Sequence, residues 1–113
     1  MSSSRFPYVR FTLQVGQHSY NGEALIDTGF DGGFAVPPPL LQDVGPPDGY
    51  ALWKPVVGPP VLAPTYRATF QIGDFGSFPV AVTALGEEIL VGLEVISRFA
   101  VTLDHGQRVV INP

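Results

Sequence analysis

Between Tyr8 and Val15 the apolar residues Val9, Phe11, Leu13 and Val15 alternate with Arg10, Thr12 and Gln14. A period of two puts all four apolar side chains on one face of an extended chain, so this segment reads as a strand with one buried face. The pattern breaks at Gly16-Gln17-His18 and resumes through Tyr20, Gly22 and Glu23 into the apolar run Ala24-Leu25-Ile26. That arrangement predicts a hairpin whose second arm enters the core. Phe34-Ala35-Val36, stopped by Pro37-Pro38-Pro39, and Phe78 to Ala84 read as further strands, with one helical turn predicted over Leu40–Val44. Tyr50 to Val57 and Val61 to Ile72 read as two extended arms meeting at Gly58-Pro59-Pro60. Pro55 and Pro64 restrict their ladder hydrogen bonds to an edge, so this hairpin projects from the body of the fold. Glu94 to Phe99 is the one convincing helix, and Ala100–Leu103 with Arg108–Ile111 form a terminal hairpin across Asp104-His105-Gly106-Gln107.

The 113 residues suit a single domain spanning 1–113, with residues 1–7 expected as a flexible arm. The chain holds 13 glycines and 12 prolines and is only 14% charged, against about 25% in ordinary domains. It is therefore expected to be mostly β, rich in turns, with apolar surface that an oligomer could cover. There is no cysteine and there are only two histidines, His18 and His105. A disulfide framework or a Cys-ligated zinc site is excluded, no metal or cofactor is expected, and any chemistry falls to oxygen groups. A net charge of −4 without a basic cluster argues against nucleic acid and anionic membrane surfaces, which both call for several clustered Lys or Arg. No stretch has signal-peptide character or approaches the ~18 apolar residues of a membrane span, so the chain reads as soluble and cytoplasmic.

The segment with chemical content is Ala24-Leu25-Ile26-Asp27-Thr28-Gly29, an apolar strand ending in a carboxylate. Such a carboxylate is costly unless hydrogen-bonded, and Thr28 and Gly29 bring backbone N–H groups close to it. The triplet alone is compatible with an ordinary turn. Farther along, Ile89-Leu90-Val91-Gly92 precedes the helix through Phe99, and the closing strands Val101–Asp104 and Val109–Ile111 follow. Together these resemble the single-domain, retropepsin-like branch of the aspartic proteases over nearly the whole chain, Tyr8 to Ile111. The Asp-Thr-Gly-Phe-Asp-Gly wording resembles a microbial subgroup of that clan. Two departures stand out: Phe30 occupies a position where well-studied members carry a small residue, and Gly58-Pro59-Pro60 lacks the N–H donors of a glycine-rich flap tip.

The resemblance implies a retropepsin-like acid-protease barrel with one short C-terminal helix, working as a homodimeric aspartic endopeptidase. Each chain supplies one Asp27, so the implied site pairs Asp27 with its copy across a twofold axis. Two carboxylates that close share one proton; one takes a proton from water while the other hydrogen-bonds the scissile carbonyl, without a covalent intermediate or metal. Thr28 would brace the partner loop and Gly29 would let the backbone approach the carboxylate. The hairpin residues Trp53, Val56, Val57 and Gly58, with Phe30 and Asp31 of the loop, would contact an extended peptide. Asp31 also reads as a turn residue bonding its own backbone, Trp53 as a packed hairpin residue, and Arg98 either as a partner-facing cation or as a solvated charge. Asp104-His105 reads as a hairpin turn. The alternative to catalysis is a dimeric domain of the same fold that binds extended peptides or a protein partner; a monomeric, purely structural barrel is the third reading.

Overall fold

The computed structural model describes residues 2–3, 5–55 and 57–112. Among them are ten strands: β1 (Ser2–Ser3), β2 (Tyr8–Val15), β3 (His18–Ile26), β4 (Phe34–Val36), β5 (Gly49–Trp53), β6 (Val61–Gln71), β7 (Ser77–Ala84), β8 (Leu90–Val91), β9 (Ala100–Asp104) and β10 (Arg108–Asn112). The one α-helix, α1 (Leu93–Ile96), is a single turn. Six strands run in the order β2-β3-β8-β4-β7-β6, and β6 returns to β2 through Thr12–Gln71, Leu13–Phe70 and Gln14–Thr69, closing a barrel. Closure leaves these six strands with neighbours on both sides. β5 continues the ladder from β6 alone and stands outside the closed ring.

Period-two patterning decides what lies inside. Val9, Phe11, Leu13 and Val15 are all buried while Arg10, Thr12 and Gln14 face out. Phe34 is fully buried in the barrel, its ring 5.2 Å from that of Phe11 and 5.7 Å from that of Phe70. Phe70 continues through Phe78 and Phe99 as an aromatic chain under the helix. Two pairings in the barrel are parallel, β3 with β8 and β4 with β7. The chain must cross over to make them, so no local turn signal could have announced them.

The structure differs from the sequence expectation in four places. Ser2–Ser3, within the stretch expected as a flexible arm, pair with Val110 and Val109 of β10, forming a second sheet β1-β10-β9. The helical turn expected over Leu40–Val44 is a 3₁₀ turn over Pro38–Leu41, because prolines at its start need no N–H partner there and already hold a helical φ. The α-helix expected over Glu94–Phe99 ends at Ile96: Ser97 N–H still reaches the Leu93 carbonyl, but Arg98 and Phe99 bond back only three residues, which tightens the last turn. The first arm of the projecting hairpin stops at Trp53 rather than Val57, since Pro55 lacks an N–H and keeps Lys54 out of regular pairing. Among the described residues no helix is long and apolar enough to cross a membrane.

Candidate functional site

Asp27 follows directly on β3, and the tertiary fold holds the strand's end from two sides. Ile26 N–H donates to the Pro7 carbonyl at 3.0 Å, and Asp27 N–H donates to the Val91 carbonyl of β8 at 3.0 Å. The Asp27 carboxylate is half-buried, and its Oδ1 accepts the Gly29 N–H at 2.9 Å. Glycine suits that close approach, because a Cβ there would lie 3.2 Å from the same oxygen and the carboxylate would have to shift slightly. The Asp27 carbonyl then accepts Phe30 N–H at 3.2 Å, which turns the chain back toward the barrel. Thr28, Gly29 and Asp31 are exposed, whereas Phe30 is buried.

The second half of the loop docks on the start of α1. Gly92, Leu93 and Glu94 donate their N–H groups to the carbonyls of Gly33 (2.7 Å), Phe30 (2.9 Å) and Gly32 (3.2 Å). These donors have no partner within a helix, so the loop satisfies what the helix start leaves open. The approach is close enough that a side chain at Gly92 would run into the Gly32 and Phe30 carbonyls. The Asp-Thr-Gly segment and the Ile-Leu-Val-Gly segment, more than sixty positions apart in the sequence, therefore form one bonded unit.

An open cleft of about 510 Å³ lies beside this unit, lined by Thr28, Gly29, Asp31, Ala51, Leu52, Trp53, Lys54 and Leu93. Thr28, Gly29, Asp31 and Trp53 among the expected site residues thus meet at one place, and Asp27 adjoins it through Thr28 without lining the cleft itself. Phe30 sits behind the loop rather than in the cleft, its ring 4.9 Å from the Trp53 indole. Val57 is 87% exposed, Gly58 has φ +105°, and neither lines the cleft; Val56 lies outside the described residues. Leu93 and Lys54 were missed in the sequence reading. Leu93 had a usable signal, since it directly follows the Ile-Leu-Val-Gly segment; Lys54 had none. A slightly larger depression of about 570 Å³ lies on the outer face of β2 and β3 around Arg10, Thr12, Asn21 and Gln71, and no residue of the Asp27 loop reaches it.

Charged contacts brace the other side of β3. Arg5 bonds Glu23 at 2.9 Å and lies 3.9 Å over the Tyr8 ring, while the Tyr8 hydroxyl donates to Glu88 at 2.6 Å. The bond to Glu23 holds the Arg5 guanidinium above its usual range, and the bond to Glu88, with burial second, raises the Tyr8 phenol. Arg98 rests 5.5 Å over the Phe78 ring. Asp104 and His105 form the expected turn: His105 and Gly106 have φ of +52° and +65°, and Asp104 accepts from Arg108 Nε at 2.7 Å. No protein-family model, curated protein or solved structure matches the chain.

Proposed function

We propose that this chain is an aspartic endopeptidase of retropepsin-like type that acts as a homodimer, with Asp27 of each copy contributing one carboxylate to a shared site. The observation that carries this reading is the bonded unit of the two motifs: Asp27 follows a half-buried strand, its carboxylate accepts the Gly29 N–H, its own N–H is held by Val91, and the neighbouring Thr28 and Gly29 line a cleft shared with the projecting hairpin. The exposed Thr28 and Gly29 are the groups that a second copy would meet.

In this reading one carboxylate of the pair is protonated and the other is not. The ionised oxygen takes a proton from a water molecule, which attacks the peptide carbonyl; the protonated carboxyl hydrogen-bonds the developing oxyanion and supplies the proton the leaving amine requires. The hairpin would present β5 as an edge alongside an extended polypeptide.

The peptide-binding alternative is favoured by one feature, the exposed Pro59 and Pro60 at the hairpin tip, which offer no N–H to a substrate backbone. Both readings meet in one experiment: digestion of an unfolded protein mixture from about pH 3 to 7, the range bracketing carboxyl titration, with wild type and Asp27→Asn at matched dimer concentration. Cleavage lost in the variant while the dimer mass persists is the expected result. No cleavage by either protein rejects the peptidase and leaves the binding domain.

A further inference from the structure

Trp53 closes β5 with its indole against Phe30, ring planes inclined by 42°. Gly32 passes beside both rings. A Cβ there would lie 2.7 and 2.9 Å from Phe30 Cζ and Cε1 and 3.3 Å from Trp53 Cη2, so the pair fits only because residue 32 has no side chain. The indole Nε1 is buried without a hydrogen-bond partner among the described residues. Ring contact, not hydrogen bonding, therefore sets the position of the indole.

That contact has an outsized place in the fold. β5 is bonded to β6 alone, and its outward side chains Tyr50 and Leu52 are 62% and 58% exposed. Cross-strand pairing puts Leu62, itself 64% exposed, on the same outward face opposite Leu52. The projecting half of the hairpin thus packs nothing on its outer face, and on its inner face Trp53 is the residue that meets the loop carrying Asp27. The same indole lines the cleft opposite Thr28 and Gly29.

We propose that Trp53 is a positioning residue: its contact with Phe30, made possible by Gly32, seats the hairpin over the Asp27 loop and fixes the width of the cleft that receives the polypeptide. The inference rests on the peptidase reading for its substrate, but not for the contact itself. It also gives Phe30 a task. A small residue at position 30 would leave the indole without a seat, and a tip built from Pro59 and Pro60 has few donors with which to hold the hairpin in place by other means.

Trp53 is the only tryptophan in the chain, so its fluorescence reads the contact without reference to hydrolysis. Phe30→Leu removes the ring but keeps most of the volume, and losing one aromatic pair shifts the balance between seated and unseated hairpin by about two- to tenfold. Acrylamide quenching of Trp53 is expected to rise accordingly. Because Phe30 is buried, Trp53→Ala on the projecting hairpin is the second variant, read by faster exchange of those β5 amides that bond to β6. With a carboxymethylated, unfolded polypeptide as substrate, Trp53→Ala should lower kcat/KM by a similar factor, mainly through KM, and Trp53→Phe should restore it. Quenching unchanged in Phe30→Leu together with exchange unchanged in Trp53→Ala overturns the proposal, and so does full kcat/KM in Trp53→Ala. If the wild type cleaves nothing, the peptidase reading fails, and quenching and exchange still decide whether the contact seats the hairpin.

Discussion

Gly92→Ala tests the bonded unit at its tightest point. Gly92 has φ −104° and ψ −174°, extended values open to any residue, so alanine carries no backbone strain there. The whole cost comes from the added methyl. It would press on the Gly32 carbonyl oxygen and lie 2.5 Å from the Phe30 carbonyl oxygen and 2.6 Å from Phe30 Cδ2. Two of the three contacts are backbone oxygens that already accept the Leu93 and Glu94 N–H groups, so the loop cannot yield without stretching those bonds. Two weakened hydrogen bonds at about 1 kcal/mol each and an overpacking cost of about 1–3 kcal/mol give a loss of about 3–5 kcal/mol. For a domain of this size that lowers Tm by about 10–20 °C. Gly22→Ala is the control: it lies in β3 with Phe11 Cε1 at 3.7 Å, an ordinary contact, and should stay within about 0.5 kcal/mol of wild type. Urea unfolding of the three proteins at equal concentration checks this. If Gly92→Ala unfolds within about 1 kcal/mol of Gly22→Ala, the loop is not held against α1 as described, since a buried clash of this kind exceeds the ordinary effect of a surface change.

Phe34→Ala empties the centre of the barrel beside Phe11 and Phe70 and should cost about 3–5 kcal/mol by chemical denaturation; a loss below about 1 kcal/mol would mean the barrel collapses around the gap. Tyr8→Phe removes the donor to Glu88. Since the folded tyrosine titrates above its ordinary 10.0, its contribution is intact below that pH and fades as pH rises through the raised value. Wild type should therefore lose stability more steeply than Tyr8→Phe in alkaline melts, and parallel curves would contradict the raised phenol. Asp27→Asn should abolish peptide hydrolysis without loss of dimer mass, as the digestion experiment reads.

Much of the barrel was legible because a strand's two-residue period writes its buried face into the sequence. Val9 to Val15 and Phe78 to Ala84 were each given a buried face from alternation alone, and the hairpins at Gly16 and His105 came from their turn residues; in β7 Phe78 is only half-buried and Thr83, on the opposite face, is buried as well. The departures fall where one residue's neighbours are distant in sequence. Ser2–Ser3 carry no strand signal and pair because β10 offers an open edge. The helix was read as six residues from composition, but its length was set by the bonding of its last turn. At the site, Asp27, Thr28 and Gly29 stood out as a triplet, while Leu93 and Lys54 entered only through the cleft they share with it.

The sequence by itself determined most of the residues that face inward, where the chain turns, and that a carboxylate ends an apolar strand segment, since these follow from local periodicity, from the φ freedom of glycine and from the missing N–H of proline. Only the tertiary structure decided that β3 lies parallel to β8, that the Phe30–Gly33 carbonyls receive the N–H groups of Gly92, Leu93 and Glu94, and that Trp53 rests on Phe30. Those contacts depend on closing the barrel, which brings together segments whose pairing no local preference encodes, and the candidate site exists at the place where they meet.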